Sequence, residues 1–500
     1  MSDLSERHPL HLHDSLQRRK VRFEPLHPPA VGLYACGPTV YGDPHLGHAR
    51  GALTWDLFYR YLTRLGYRVR YVRNITDVGH LTDEVGGTGE DKVSRKARVE
   101  RLEPMEVVQQ YTNAYHRAMD RLNCLRPSIE PTASGHITEQ IAATRTLIER
   151  GYAYESGGSV YFDLDKYAAE QDYGKLSGKV LEDLVSGSRD TEGLDEKRGP
   201  HDFALWKKAQ PEHLMRWPSP WGEGFPGWHL ECSVMSTKYL GETFDIHGGG
   251  MDLLFPHHEA ERAQNFGCLG HHAVRHWVHH NMITLEGQKM AKSKGNFITL
   301  DELFSGDHAL LEQAYSPMTI RFFTLQAHYR SPVDFSNAGL QAAAKGYRRL
   351  MQAWRALEGL QPAGKKQRDA ELEARLAEAG EGVWRELSDD LNTPKALALC
   401  FDVASRIQDL AAGRAGIGAE ALEALRGWFG AVLFDVFGLV DERADDGEHL
   451  RRVVDVLIRL RAEARAAKDW ATSDRIRDEL AAAGVQLLDG PEGTAFRVTD

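Results

Sequence analysis

Residues 31–50 read VGLYACGPTVYGDPHLGHAR, and the order of chemistry in them decides the fold. Val31 to Cys36 is a short apolar run that stops at Gly37-Pro38, which suits a buried strand. A loop with Gly42, Asp43, Pro44 and Gly47 follows. Leu53, Leu57, Phe58, Tyr61, Leu62 and Leu65 then recur at helical spacing up to Gly66, and Tyr67, Val69 and Tyr71 alternate as in a strand. Strand, glycine-bearing loop, helix and strand open a βαβ nucleotide-binding half. The fold class is therefore α/β, with a Rossmann-like parallel sheet.

Further along, Glu103 to Leu122 and His136 to Arg150 read as helices. Tyr152 to Tyr154 and Ser159 to Asp163 flank Glu155-Ser-Gly-Gly158, the pattern of a hairpin. Gly174 to Pro200 is polar and Gly-rich and reads as a mobile loop. A Pro-, Gly- and Trp-rich stretch from Pro218 to Gly227 opens the next compact segment, and His280 to Leu285 reads as a strand. Ala, Leu, Glu and Arg dominate from Gly339 to Val440, as in a helical bundle. Helical signals return from His449 to Ala483, and Val485 to Leu488 with Ala495 to Val498 predict a closing hairpin.

With 500 residues the chain is too long for one ordinary domain; roughly three are expected. Its 61 Lys+Arg against 72 Asp+Glu give a net charge of −11, which excludes a generic polyanion binder but not an RNA binder with local basic patches. Cys36, Cys124, Cys232, Cys268 and Cys400 are far apart in sequence, so a disulfide scaffold is not expected and a reducing compartment is. No run of 18 apolar residues predicts a membrane span, and Met1 to Leu10 lacks an apolar signal segment.

Eight of the 23 histidines fall between His247 and His280. If a helix starts near Pro256, His257 and Glu261 stand four apart on one face, where both reach one ion. Position 262 is Arg, so this is not the HExxH zinc-protease motif. Two donors are too few for zinc. Cys36, at a strand end, and Cys232, in Gly227-Trp-His-Leu-Glu-Cys232, are available. The competing reading keeps Cys36 and Cys232 as core cysteines and His257 as a helix cap.

Pro44-His45-Leu46-Gly47-His48 lies between the first strand and its helix, where backbone N–H groups favour phosphate and Gly47 would let a flat base approach. Lys289-Met290-Ala291-Lys292-Ser293-Lys294 is a basic loop able to neutralise a triphosphate, or else a solvated face.

The HLGH and KMAKS segments together resemble the paired signatures of class I aminoacyl-tRNA synthetases. Ala35-Cys-Gly-Pro-Thr-Val-Tyr41, Asn74-Ile-Thr-Asp77, Gly227-Trp-His-Leu-Glu-Cys-Ser233, Asp245-Ile-His-Gly-Gly-Gly250 and Phe255-Pro-His-His-Glu259 resemble the cysteinyl-tRNA synthetase family in order along nearly the whole chain. Ala291 departs from the family's usual Ser, and Val78-Gly79-His80 stands where many members carry acids.

The resemblance implies a two-step, ATP-dependent ligation of L-cysteine to tRNA(Cys). It implies one zinc per chain held by Cys36, Cys232, His257 and Glu261, with Mg²⁺ accompanying the ATP. His45, Gly47 and His48 would bind ATP, and Lys289 and Lys292 would stabilise the leaving pyrophosphate. Thr76, Trp228 and His247 would line the amino-acid pocket. Zinc has a physical rationale here. Shape alone discriminates near-isosteres by roughly 10²-fold, whereas zinc favours a thiolate over a hydroxyl.

The resemblance also implies a division into domains. Residues 1–130 and 216–300 would be the two halves of the catalytic domain, with a connective insertion at 131–215 and the zinc site in the second half. Residues 301–345 would contact the tRNA stem, 346–445 form a helical tRNA-binding bundle, and 446–500 bind the anticodon. Lys345 to Arg368 carries seven Lys/Arg against one acid, a basic cluster or a solvated helix face. Arg465, Trp470, Asp474, Arg477 and Asp489 are the expected anticodon contacts, with Trp470 as a stacking platform or a core residue. A cytoplasmic monomer is the family's commoner form. Two other readings are a cysteine ligase acting on a small amino-sugar and a non-catalytic RNA-binding relative. The length after Gly339 and the intact signatures argue against both.

Overall fold

A computed structural model of the chain describes residues 3–79, 92–179, 196–285, 287–289, 296–364, 367–490 and 493–498. Lys292, Ala291, His80 and most of the Gly174 to Pro200 loop lie outside the described residues. Lys289 and Asp489 are described by their backbone alone.

Four parallel strands form the central sheet, in the spatial order Val274–His280, Phe244–Gly250, Ala30–Ala35, Arg68–Arg73. From Ala30–Ala35 the chain moves outward to Arg68–Arg73, and much later returns to add Phe244–Gly250 on the other side. The strand order thus reverses between Ala30–Ala35 and Phe244–Gly250. The crevice at the carboxyl ends of two such strands is where α/β sheets bind ligands. Phe244–Gly250 is buried at every position. Helix Leu46–Arg64 crosses it with Trp55 so close to Gly248 that an added Cβ would lie 1.8 Å from the indole ring, which explains glycine there.

A five-stranded antiparallel sheet spanning Ala153 to Pro226 is inserted between the two halves. It contains the predicted hairpin, turning at Gly157 and Gly158 with φ of +62° and +88°. The predicted strand His280 to Leu285 is broken. Val274–His280 ends in the central sheet, while Ile283–Leu285 pairs in parallel with Val333–Phe335 in another. Asn281 makes the break. Its backbone N–H donates to the Tyr329 carbonyl (2.8 Å), and its side chain donates to Arg330 O (3.1 Å) while accepting from Met282 N–H (2.8 Å). Such local bonds replace a ladder.

Helices Asn337–Gly359, Ala370–Ser388, Thr393–Ala411 and Ala419–Gly430 form the expected bundle. A buried ionic group joins helix Leu46–Arg64 to helix Pro317–Leu325 and to the segment after the bundle. Asp56 takes hydrogen bonds from Arg60 (2.8 Å) and Arg321. Arg321 also donates to the carbonyls of Phe437 and Leu122, and Arg60 to that of Asn123. Buried charges of this kind persist only when each is paired.

The chain divides into two compact units, Met1–Leu439 and Val440–Asp500. The second holds helices Glu442–Ala466 and Trp470–Ala482 and the hairpin Val485–Gly490/Gly493–Val498, around a small core of Val454, Leu480 and Val485. Asp469 starts the second helix by accepting from Thr472 N–H (3.1 Å). Among the described residues no helix is long and apolar enough to cross a membrane.

Candidate active site and metal centre

Cys36 follows strand Ala30–Ala35 directly, and its N–H donates to Gly248 O (2.9 Å), which pins it at the switch point. Cys232 stands in the first turns of helix Leu230–Leu240. The predicted helix start at Pro256 is shifted. A wide turn, Leu254–His258, contains an extended Phe255 (φ −140°, ψ 134°), and the regular helix begins at Glu259. His257 nonetheless reaches Glu261, with Nε2 3.1 Å from Oε1.

These side chains converge. The donor atoms of Cys36, Cys232, His257 and Glu261 all lie within 4.8 Å of one another. So do those of Cys36, His247, His258 and Glu261, giving two overlapping sets that share a thiol and a carboxylate.

Charge and hydrogen bonding tie the two sets together. Burial raises the Cys36 thiol, but the bond from Cys232 and the nearby His257 outweigh it and bring it to about 6. Cys232 is pushed well up by burial and by the Cys36 it faces. Glu261 is held at about 2, because His247 and His257 outweigh its burial. His257 rises to about 10 against the pull of burial, owing to Glu261 and Cys36. His247 is likewise raised against its burial by Glu261, so the thiol and the carboxylate are each met by histidine.

His257 Nδ1 lies 2.9 Å from His229 Nδ1, which fixes the ring with Nε2 toward the cluster; a bond to the far ring nitrogen is what orients a metal-binding histidine. His258 is bound through Nδ1 to His279 (2.7 Å), and His279 in turn to Ser15 (2.8 Å). Burial drives His258 well below its ordinary range. His247, fully buried and stacked on Trp277, holds the other Glu261 oxygen at 2.7 Å. Either set could hold a metal ion: His258 Nε2 lies 3.2 Å from Cys36 Sγ, as His257 Nε2 lies 3.1 Å from Glu261, and each ring is held through Nδ1 by a further histidine.

His45 caps helix Leu46–Arg64. Gly47 N–H donates to His45 Nδ1 (3.0 Å), and His45 N–H donates to His48 Nδ1 (3.3 Å). The two rings lie 4.0 Å apart. Both bonds use Nδ1, so in the neutral rings the proton sits on Nε2. An added Cβ at Gly47 would meet the His45 ring at 2.8 Å. Residues after the lysine loop return to this point: Thr299 bridges His45, and Leu300 N–H donates to Pro44 O (2.8 Å). The Lys289 backbone pairs with Thr284.

Trp228 packs its ring 4.7 Å from His257. Thr76 is buried and donates to Glu231 Oε1 (2.5 Å). In the second unit Trp470 is 58% exposed, as a stacking platform would be, and Arg477 pairs with Asp474 (3.0 Å). Arg465 is exposed, and Asp489 lies in the hairpin. In the basic window Arg368 is taken by Glu373, and Lys345 and Arg348 are exposed on one helix. His229, His258, His279, Asn74 and Glu231 belong to the site but carried no assignment from sequence. Their neighbours in the chain give no signal of which ring would be held.

A parallel sheet with a histidine-capped helix after its first strand and a donor cluster at the switch point defines a class I aminoacyl-tRNA synthetase fold. Solved structures share it: methionyl-tRNA synthetase of Mycobacterium tuberculosis with methionyl-adenylate (TM-score 0.54, 15% identity, 81% of this chain and 89% of that one) and the LeuRS–tRNA ternary complex of Agrobacterium radiobacter (TM-score 0.56, 12% identity, 84% and 86%). Residues 22–345 match the model of the class I (C) tRNA synthetase catalytic domain, 383–441 the DALR domain, and 449–497 the cysteinyl-tRNA ligase anticodon binding domain. The cysteine–tRNA ligases of Bacteroides fragilis (57% identical, 98% of this chain and 99% of that one) and Thermus thermophilus (50%, 97% and 99%) are similar over nearly their full lengths. The chain belongs to the cysteinyl-tRNA synthetase family. The match to an anticodon binding domain gives no support to the amino-sugar ligase or the non-catalytic binder.

Proposed function

We propose that the crevice at the carboxyl ends of Ala30–Ala35 and Phe244–Gly250 activates L-cysteine with ATP and transfers it to tRNA(Cys). The observation that carries this reading is the convergence of Cys36, Cys232, His257 and Glu261 at the switch point, beside the HLGH helix start. In the first step the cysteine carboxylate attacks the α-phosphate and pyrophosphate leaves. In the second, a hydroxyl of the tRNA's terminal adenosine attacks the carbonyl carbon and AMP leaves.

His45 and His48 present Nε2–H donors, together with the N–H groups of the helix start, to the phosphates. Burial and the neighbouring His45 push His48 well below its ordinary range, so it acts as a neutral donor. Lys289 and Lys292 would stabilise charge on the departing pyrophosphate, which magnesium accompanies. Cys36, Cys232, His257 and Glu261 would hold zinc, with Trp228 and Thr76 beside it and His247 bracing Glu261. When bound, zinc supplies a borderline-soft Lewis acid that accepts a thiolate and offers a serine hydroxyl no comparable bond. The helical bundle and the Val440–Asp500 unit would contact tRNA, through Arg465, Trp470, Asp474, Arg477 and Asp489 in the latter. The unpaired cysteines support a reducing, cytoplasmic setting, and we read the chain as a monomer.

Cysteine-dependent ATP–pyrophosphate exchange followed by charging of tRNA(Cys) tests this. Exchange with charging is expected. Exchange alone would overturn the tRNA assignment, and absence of exchange would overturn adenylation.

A further inference from the structure

Glu231 stands in the first turn of helix Leu230–Leu240, one residue before Cys232, and is 2% exposed. A first-turn acid on a helix surface is ordinary, because the helix dipole favours it. This one is turned inward. Its Oε1 accepts from the Thr76 hydroxyl (2.5 Å), and among the described residues its Oε2 meets no hydrogen-bond partner. A carboxylate oxygen buried without a partner is costly, so such a group marks a place where something else supplies the donor.

The surroundings say what that donor is. Asn74 Nδ2 donates to Thr76 Oγ1 (3.1 Å), while Asn74 Oδ1 accepts from Gly37 N–H (2.9 Å). The amide orientation is thereby fixed, and the Thr76 proton is directed to Glu231. A lone pair of the Thr76 hydroxyl remains, so the pair Glu231 and Thr76 offers acceptors only. The same Asn74 oxygen lies 3.8 Å from Cys232 Sγ, which places this group beside the thiol corner. A carboxylate oxygen without a partner among the described residues, beside a hydroxyl with a lone pair to spare, fits a cationic donor. In cysteine the ammonium and the sulfur are carried on adjacent carbons. A substrate whose sulfur meets the Cys36–Cys232 corner therefore brings its ammonium to groups on that same wall.

We propose that Glu231 reads the α-ammonium of the amino-acid substrate, through Oε2 directly and through the Thr76 hydroxyl that it orients. The proposal rests on the reading of this crevice as the cysteine pocket. Glu231 does not separate cysteine from serine, since both carry the ammonium. It sets which end of the substrate faces ATP, so that the carboxylate is presented to the α-phosphate, and it rejects thiols that have no ammonium.

The test compares two ligands by calorimetry on full-length protein: L-cysteine, and 3-mercaptopropionate, which keeps the thiol and carboxylate but lacks the ammonium. Glu231→Gln should weaken cysteine by about 10- to 100-fold, the worth of a charge-assisted hydrogen bond. It should leave 3-mercaptopropionate and the metal bound per chain unchanged. Thr76→Val should show the same selectivity with a smaller loss. Equal loss for both ligands, loss of metal, or unchanged cysteine binding would each overturn the proposal. Failure of the underlying reading shows separately, as wild-type protein without cysteine-dependent pyrophosphate exchange.

Discussion

The sulfurs of Cys36 and Cys232, 196 residues apart in the chain, lie 3.7 Å from each other. They are not a disulfide. Cys36, brought down to about 6, is the anion, and Cys232, pushed well up, keeps its proton. A metal ion would remove that proton. Cys36→Ser, Cys232→Ser and His257→Asn should therefore each lower zinc affinity by more than about 100-fold, and His229→Ala by about 10- to 100-fold, in chelator competition. His258→Asn should cost less than His257→Asn. The reverse order would assign the metal to the other donor set.

Glu130 gives a pH dependence. It sits between Arg73 (2.6 Å) and His116 (2.6 Å). Burial would raise its carboxyl, but the bond from His116 and the charge of Arg73 hold it at about 2, against an ordinary 4.5. A folded-state value below the unfolded one means that its stabilisation is full above the ordinary value and is lost as pH falls toward about 2. In denaturant titrations between about pH 5 and pH 2.5, wild type should lose on the order of 2 kcal/mol more than Glu130→Gln. Parallel curves would show that the pairing adds nothing. Arg73 also lies over the ring of Tyr115, which meets His48 edge-on, so the variant should raise KM for ATP as well.

Arg321 is 1% exposed, as is Asp56 beneath it. Replacing Arg321 by Met leaves that carboxylate short of one partner, though Arg60 remains. A loss of about 3–5 kcal/mol in unfolding free energy is expected, the scale for breaking a buried pair. A neutral result would mean that Arg60 and the Leu125 N–H suffice.

Trp470 is exposed on the second unit. Trp470→Ala should weaken tRNA(Cys) binding by about 1–3 kcal/mol, the worth of one stacked base, while leaving pyrophosphate exchange intact. Equal charging kinetics in the two proteins would remove Trp470 from the interface.

How much of this was legible in the sequence depends on distance along the chain. The strand ending at Cys36 and the helix behind His45 follow from local periodicity, and the i,i+4 spacing of His257 and Glu261 survived even though Phe255 delays the helix start. The break at Asn281 was not legible, because His279-His280-Asn281 carries no glycine or proline to mark a turn and only the Asn281 side-chain bonds make it. Of the eight histidines between 247 and 280, His257 and His247 could be given roles, whereas His258 and His279 could not, because their bond to each other joins residues 21 apart on different elements. Glu231 reads as a routine first-turn acid until Thr76, 155 residues earlier, is placed against it.

The central claim is that this site selects its substrate through sulfur. The direct measurement is the absorption spectrum of Co²⁺-substituted protein titrated with L-cysteine and, separately, with L-serine. A new thiolate-to-metal band that grows with cysteine and is absent with serine is the predicted result. An unchanged spectrum under cysteine, in protein that still carries out pyrophosphate exchange, would contradict the account.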